Sequence, residues 1–197
     1  RFLHGDELKA FFTALAGEPN DTLRDYFLFC LLTGVRKSNA LTARWEQIDL
    51  TTGLWRIPGE SAKAGVPIIV PLVVPAIRLL QSRLQTANGS PWVFPSNRGK
   101  AGHIVEPKSA WKRIIDRAGL VDVRPHDLRR SLGSWMAMSG TSLPVIGKML
   151  GHTQPTTTQV YARLTVDPVR EAAEKATTAM LQAGGMLTLD VETKGGK

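Results

Sequence analysis

The chain reads as a mixed α+β domain: a mostly helical body with a small antiparallel three-stranded sheet at one edge. Two observations predict this. Apolar residues recur at helical spacing on both sides of the chain, while its middle breaks into short β-rich runs split by turn residues. A length of 197 residues suits one large core.

The elements follow in order. Asp6–Leu15 is a short opening helix with Leu8, Phe11, Phe12 and Leu15 on one face. Asp21–Leu32 is a more apolar helix, ended by the Thr33-Gly34 break, and Ser38 is placed to cap a short helix through Ala43. Gln47–Leu50, Leu54–Ile57 and Pro67–Leu72 are the strands, separated by Thr51-Thr52-Gly53 and by Gly59–Gly65. Helices resume at Pro75–Leu84 and Pro107–Ala118, with a Gly/Pro/Asn-rich loop from Asn88 to Gly102 between them. A further helix, from about His126 to Ser139, carries Leu128, Leu132, Trp135 and Met136 at core spacing. Pro144–Leu150 and Thr156–Tyr161 are short helices, and Asp167–Gln182 is a longer alanine-rich one. These define a domain over residues 1–182 and a tail over 183–197.

Composition narrows the function classes. No stretch approaches the ~18 uninterrupted apolar residues of a membrane helix, and no signal-peptide layout opens the chain. The start at Arg1 suggests a fragment of a longer protein. Cys30 is the single cysteine, in the apolar run Tyr26–Leu32, so it reads as a buried inert thiol in a reducing, cytoplasmic setting. The net charge is +8, and from Thr165 onward four Lys/Arg face five Asp/Glu, so the positive excess lies on residues 1–164. Such an excess on a compact body points to a polyanionic partner, nucleic acid first.

Four segments carry chemistry. Arg36 sits on the turn Thr33-Gly34-Val35-Arg36, just before a helix start, and Lys63 lies in the loop Gly59–Gly65 ahead of a strand. His126-Asp127-Leu128-Arg129-Arg130 opens a helix, with His126 and Arg129 three apart and therefore able to share a face. Leu150-Gly151-His152 follows, and Tyr161 stands nine residues beyond that histidine. Taken singly each is ordinary: a helix-flanking arginine, a solvated loop lysine, a histidine at a helix end, a loop histidine, a core tyrosine. His4 and His103 match no motif and read as surface residues. The histidines and Cys30 lack metal-ligand spacing, and Arg98-Gly99-Lys100-Ala101 fails as a phosphate loop, with Phe94 at the first glycine position. The five tryptophans are scattered, so they are core or edge residues and no stacking ladder.

In this order the set Arg36, Lys63, His126-x-x-Arg129, Leu150-Gly151-His152 and Tyr161 resembles the tyrosine recombinases of the phage-integrase family, whose catalytic fold is shared with type IB topoisomerases. The likeness runs from about His4 to Gln182. It implies the tyrosine-recombinase catalytic fold and a site-specific recombinase that cleaves and rejoins DNA through a 3′-phosphotyrosine. Arg36 and Arg129 would clamp the non-bridging oxygens and neutralise the charge that grows in the transition state, with His152 as a further donor. Tyr161, whose ordinary pKa is ~10, would be the nucleophile, His126 its proton acceptor and Lys63 the acid that protonates the leaving 5′ oxygen. No cofactor and no metal enter this chemistry. One position departs from the family pattern: Asn39 stands three residues after Arg36, where an acidic residue is frequent, and an amide there can still orient Arg36 by a hydrogen bond.

The resemblance also implies partners: double-stranded DNA, a homotetramer on DNA from monomers in solution, an upstream domain, and accessory DNA-bending proteins. No membrane is involved, and localisation is cytoplasmic, on the bacterial nucleoid when bound. The rival readings are a type IB topoisomerase-like relaxing enzyme and a catalytically inactive DNA-binding factor. The intact set speaks against the second, since a binder has no need of Tyr161. In the tail, Leu187, Leu189 and Val191 alternate with Thr188, Asp190 and Glu192 after Gly184-Gly185, a period-two pattern that suits a strand docking on the sheet edge in trans or in cis.

Overall fold

The computed structural model describes residues 1–61 and 65–183. Its elements are α1 (Gly5–Ala16), α2 (Asp21–Thr33), α3 (Lys37–Leu41), β1 (Ile48–Asp49), β2 (Leu54–Ile57), β3 (Ile68–Pro71), α4 (Val74–Gln85), α5 (Lys108–Ala118), α6 (Pro125–Met138), α7 (Leu143–Leu150), a 3₁₀ segment (Pro155–Leu164) and α8 (Val166–Ala183). The strands form one antiparallel sheet in the order β1-β2-β3, with Ile48 opposite Trp55 and Trp55 opposite Val70. The mixed α+β reading therefore holds. The tail pattern at Leu187–Glu192 lies outside the described residues, as does Lys63.

Local chemistry explains where the helices begin and end. Asn20 caps α2, its side chain accepting the Leu23 N–H at 3.0 Å, and Gly34 ends it in the left-handed region at φ 61°. Pro125 occupies the first turn of α6, and Asp127 Oδ2 accepts the Arg124 N–H at 2.8 Å. Gly151, at φ 61°, closes α7. Ser38 is not a cap: Arg36 holds that position and Ser38 lies inside α3. The segment read as a short helix around Thr156–Tyr161 is a 3₁₀ turn series, tighter than α.

Two hydrophobic clusters result. The larger joins α1, α2, α4, α5 and the sheet around Trp55, Phe27, Phe29 and Phe94, all fully buried, with Phe29 and Trp55 ring centroids 5.3 Å apart. Cys30 belongs to it, and burial pushes its thiol up to about 12, as an inert core thiol requires. The smaller cluster is Ala137, Ile146, Leu150 and Tyr161, between α6, α7 and the 3₁₀ segment. Three expectations of burial are corrected. Phe12 is 44% exposed on α1, and Trp135 is 41% exposed, its indole N–H donating to the Leu3 carbonyl at 2.9 Å. His103 is only partly exposed, its ring packed on Trp92 and its Nδ1 2.8 Å from the Ile104 carbonyl oxygen.

Candidate active site

Three helix ends converge on one hollow. At the end of α2, a Cβ on Gly34 would fall 2.7 Å from Leu150 Cδ2 and 2.8 Å from Leu132 Cδ2. Its absence lets the turn press against α6 and α7. The Gly34 carbonyl then accepts Arg129 Nη1 at 2.7 Å, so the turn that launches Arg36 also anchors Arg129. Arg36, at the N-cap of α3, reaches back to the Gly151 carbonyl at 3.5 Å, a long contact, and His152 follows Gly151 directly. Arg36, His126, Arg129 and His152 thereby line a common hollow.

The charges in this hollow are uncompensated. Arg129 is 5% exposed, yet among the described residues neither it nor Arg36 pairs with a carboxylate. Desolvation, then the neighbouring Arg36 charge, pull the Arg129 pKa down to about 10. Two close guanidiniums without an anion are unfavourable by themselves, so the hollow favours an anionic ligand. Desolvation chiefly, then Arg129 and Arg36, push His152 down to about 4, and His126 shifts the same way for the same leading cause. Both imidazoles are therefore neutral at pH 7, one nitrogen of each a donor and the other an acceptor. His152 Nδ1 lies 2.8 Å from Thr158 Oγ1.

Tyr161 projects from the 3₁₀ segment against α6. A Cβ on Gly133 would lie 2.5 Å from its Cζ and 2.7 Å from its hydroxyl oxygen, so the ring rests on bare helix backbone. It is 5% exposed and a member of the smaller core cluster, yet it also lines a cleft of about 360 Å³ that His126, Arg129 and His152 share with the hollow. Burial raises its pKa, while Arg129 and Arg130 act in the opposite direction. Five of the six residues expected from the sequence thus surround adjoining depressions: Arg36, His126, Arg129, His152 and Tyr161.

Asn39 corrects an expectation. It is buried, its Oδ1 has no hydrogen-bond partner among the described residues, and Arg36 reaches the Gly151 carbonyl instead. Sequence reasoning also missed Arg130 and Thr158. Arg130 lines the Tyr161 cleft, held by Asp127 at 3.2 Å, and its one signal was adjacency to Arg129. Thr158 was signalled only by its place three residues before Tyr161, one turn of a 3₁₀ helix. Among the described residues no cluster of three or more His, Cys, Asp or Glu side chains is placed to hold a metal, and no helix is long and apolar enough to cross a membrane.

Comparison with known proteins identifies the family and the fold. The phage integrase family model matches residues 1–167. Tyrosine recombinase XerA of Pyrococcus furiosus is 30% identical over 172 residues, covering 85% of this chain and 59% of that protein. Prophage integrase IntF of Escherichia coli K12 is 30% identical over 186 residues, covering 93% of this chain and 40% of that protein. The chain thus spans about half the length of these curated relatives. The fold superposes on XerH site-specific recombinase, solved bound to its difH substrate, with a TM-score of 0.69 at 22% identity, over 87% of this chain and 53% of that one. The chain belongs to the phage integrase family.

Proposed function

We propose that the chain is the catalytic part of a site-specific DNA recombinase that cuts and rejoins strands through a 3′-phosphotyrosine at Tyr161. One observation carries this reading: two guanidiniums without a carboxylate partner among the described residues line a hollow that shares His126, Arg129 and His152 with the cleft lined by Tyr161. Relatives named recombinases and integrases support it, as does the XerH structure with its bound substrate.

The chemistry follows from the residues. A phosphodiester in the hollow places its non-bridging oxygens against Arg36 and Arg129, which neutralise the charge that grows as phosphorus becomes five-coordinate. His152 adds a hydrogen bond to the same oxygens. The Tyr161 oxygen attacks phosphorus, its proton passes to the neutral His126, and the bond to the 5′ oxygen breaks as Lys63 gives that oxygen a proton. The phosphotyrosine conserves the bond, so a 5′ hydroxyl from a partner strand reverses the step without an external energy source. Double-stranded DNA is the substrate, and the working assembly is a tetramer of otherwise monomeric chains. An upstream domain and DNA-bending partners complete it, in the cytoplasm on the nucleoid. Residues 183–197 serve as a tail that docks on a sheet edge, in trans on a neighbouring protomer or in cis on its own chain.

The test is adduct formation on a nicked suicide substrate in excess EDTA, run beside two-site recombination and supercoil-relaxation assays. The expected result is an SDS-resistant adduct with EDTA present, together with recombination. A strict requirement for added magnesium contradicts the mechanism. Relaxation without recombination, in the full-length protein, makes the enzyme a topoisomerase instead.

A further inference from the structure

The 3₁₀ segment does more than carry Tyr161. With three residues per turn, Thr158 and Tyr161 stand on the same side of it, and both face glycines of neighbouring helices. Tyr161 lies on Gly133 of α6, and the Thr158 hydroxyl lies 2.9 Å from where a Cβ on Gly147 of α7 would stand. Thr158 is 4% exposed, and its hydroxyl has one partner among the described hydrogen bonds, Nδ1 of His152 at 2.8 Å. The backbone of His152 is fixed as well, its N–H donating to the Gly147 carbonyl at 2.9 Å.

We propose that Thr158 is a positioning residue: its hydroxyl donates to Nδ1 of His152, holds the ring proton on Nε2, and ties the histidine to the segment that carries the nucleophile. A neutral imidazole offers one N–H, and whichever nitrogen keeps it decides whether the ring can donate to a phosphate oxygen. With Nδ1 occupied as an acceptor, Nε2–H is left to point into the hollow. Because the His152 ring is hydrogen-bonded to the segment that carries Tyr161, a shift of that segment that withdraws the tyrosine also releases the ring. The charge clamp and the nucleophile are therefore set together. This rests on His152 serving the phosphate, as in the function proposed above.

The experiment separates the two claims. Long-range ¹H–¹⁵N spectra of the histidine rings at pH 7, on the DNA-free chain, report the tautomer without any cleavage. The parent should show His152 as a single Nε2–H tautomer; Thr158→Val, close to isosteric, should give a mixture or the Nδ1–H form, and Thr158→Ser should restore the parent pattern. Thr158→Ala provides the same reading should valine disturb folding. On a nicked substrate, Thr158→Val should cleave about tenfold or more slowly, a factor of ten being about 1.4 kcal/mol of lost transition-state stabilisation. In a His152→Ala background the same change should add nothing. A parental tautomer in both Thr158→Val and Thr158→Ala, or equal slowing with and without His152, overturns the proposal. Parental cleavage by His152→Ala overturns the reading of the site instead, and leaves the tautomer result standing.

Discussion

The two hydrophobic clusters differ in what they hold. The larger is built from big rings that pack mainly on one another: Phe27 sits between Tyr26 and Trp111, with centroids 5.0 and 5.1 Å away, and Phe29 contacts both Trp55 and Phe94. It contains none of the five site residues placed by the structure. The smaller has four buried members, and one of them is Tyr161. In the body, packing serves stability; in the α6–α7–3₁₀ region, packing also places the tyrosine proposed as the nucleophile. The Tyr161 ring is seated on Gly133 and lines the cleft, whereas no ring of the larger cluster lines the hollow or the cleft.

Substitutions in each cluster sharpen this contrast. The largest expected effect on stability is in the body: Phe27→Ala should lower the unfolding free energy by about 3–5 kcal/mol, as for other fully buried phenylalanines. Denaturant titration would measure it. Cleavage by the still-folded protein at low temperature should remain close to parental. A large loss of cleavage by folded Phe27→Ala would show the two regions to be coupled. The smaller stability effect is at Gly133. A Cβ there lies 2.5 Å from Tyr161 Cζ, and such overpacking costs about 1–3 kcal/mol. Replacing a mid-helix glycine with alanine returns about 1 kcal/mol, so the net change should be about 0–2 kcal/mol. Cleavage by Gly133→Ala should nonetheless fall at least about tenfold, since each ~1.4 kcal/mol of lost transition-state placement is a factor of ten. Parental cleavage by this variant would show that the ring's seat on α6 is not what positions it.

Much of this was legible in the residue pattern, and the exceptions share a cause. Helices with a clear apolar period and a recognisable stop, such as α2 ending at Gly34, are written in local sequence. The site motif was legible because Arg36, His126, Arg129, His152 and Tyr161 each need a particular functional group in a particular order. Side chains whose fate is decided by a distant partner were not. Trp135 looks like core by spacing, but it is 41% exposed and its N–H is held by the Leu3 carbonyl, 132 residues away in sequence. Asn39 was expected to orient Arg36, but Arg36 turns to the carbonyl of Gly151 in another helix end. Thr158 gave no sign of its hydrogen bond to His152, because the 3₁₀ geometry that brings them together is not encoded in periodicity. Lys63 lies outside the described residues.

The most direct test of the account is the phenylalanine variant of the proposed nucleophile. Tyr161→Phe keeps the ring on Gly133 and its place in the smaller cluster, and removes only the hydroxyl. Incubated with a nicked suicide substrate and resolved in SDS, the variant should bind the DNA as the parent does and form no covalent adduct. An adduct formed at the parental rate would contradict the assignment of Tyr161 and, with it, the reading of this cleft as the active site.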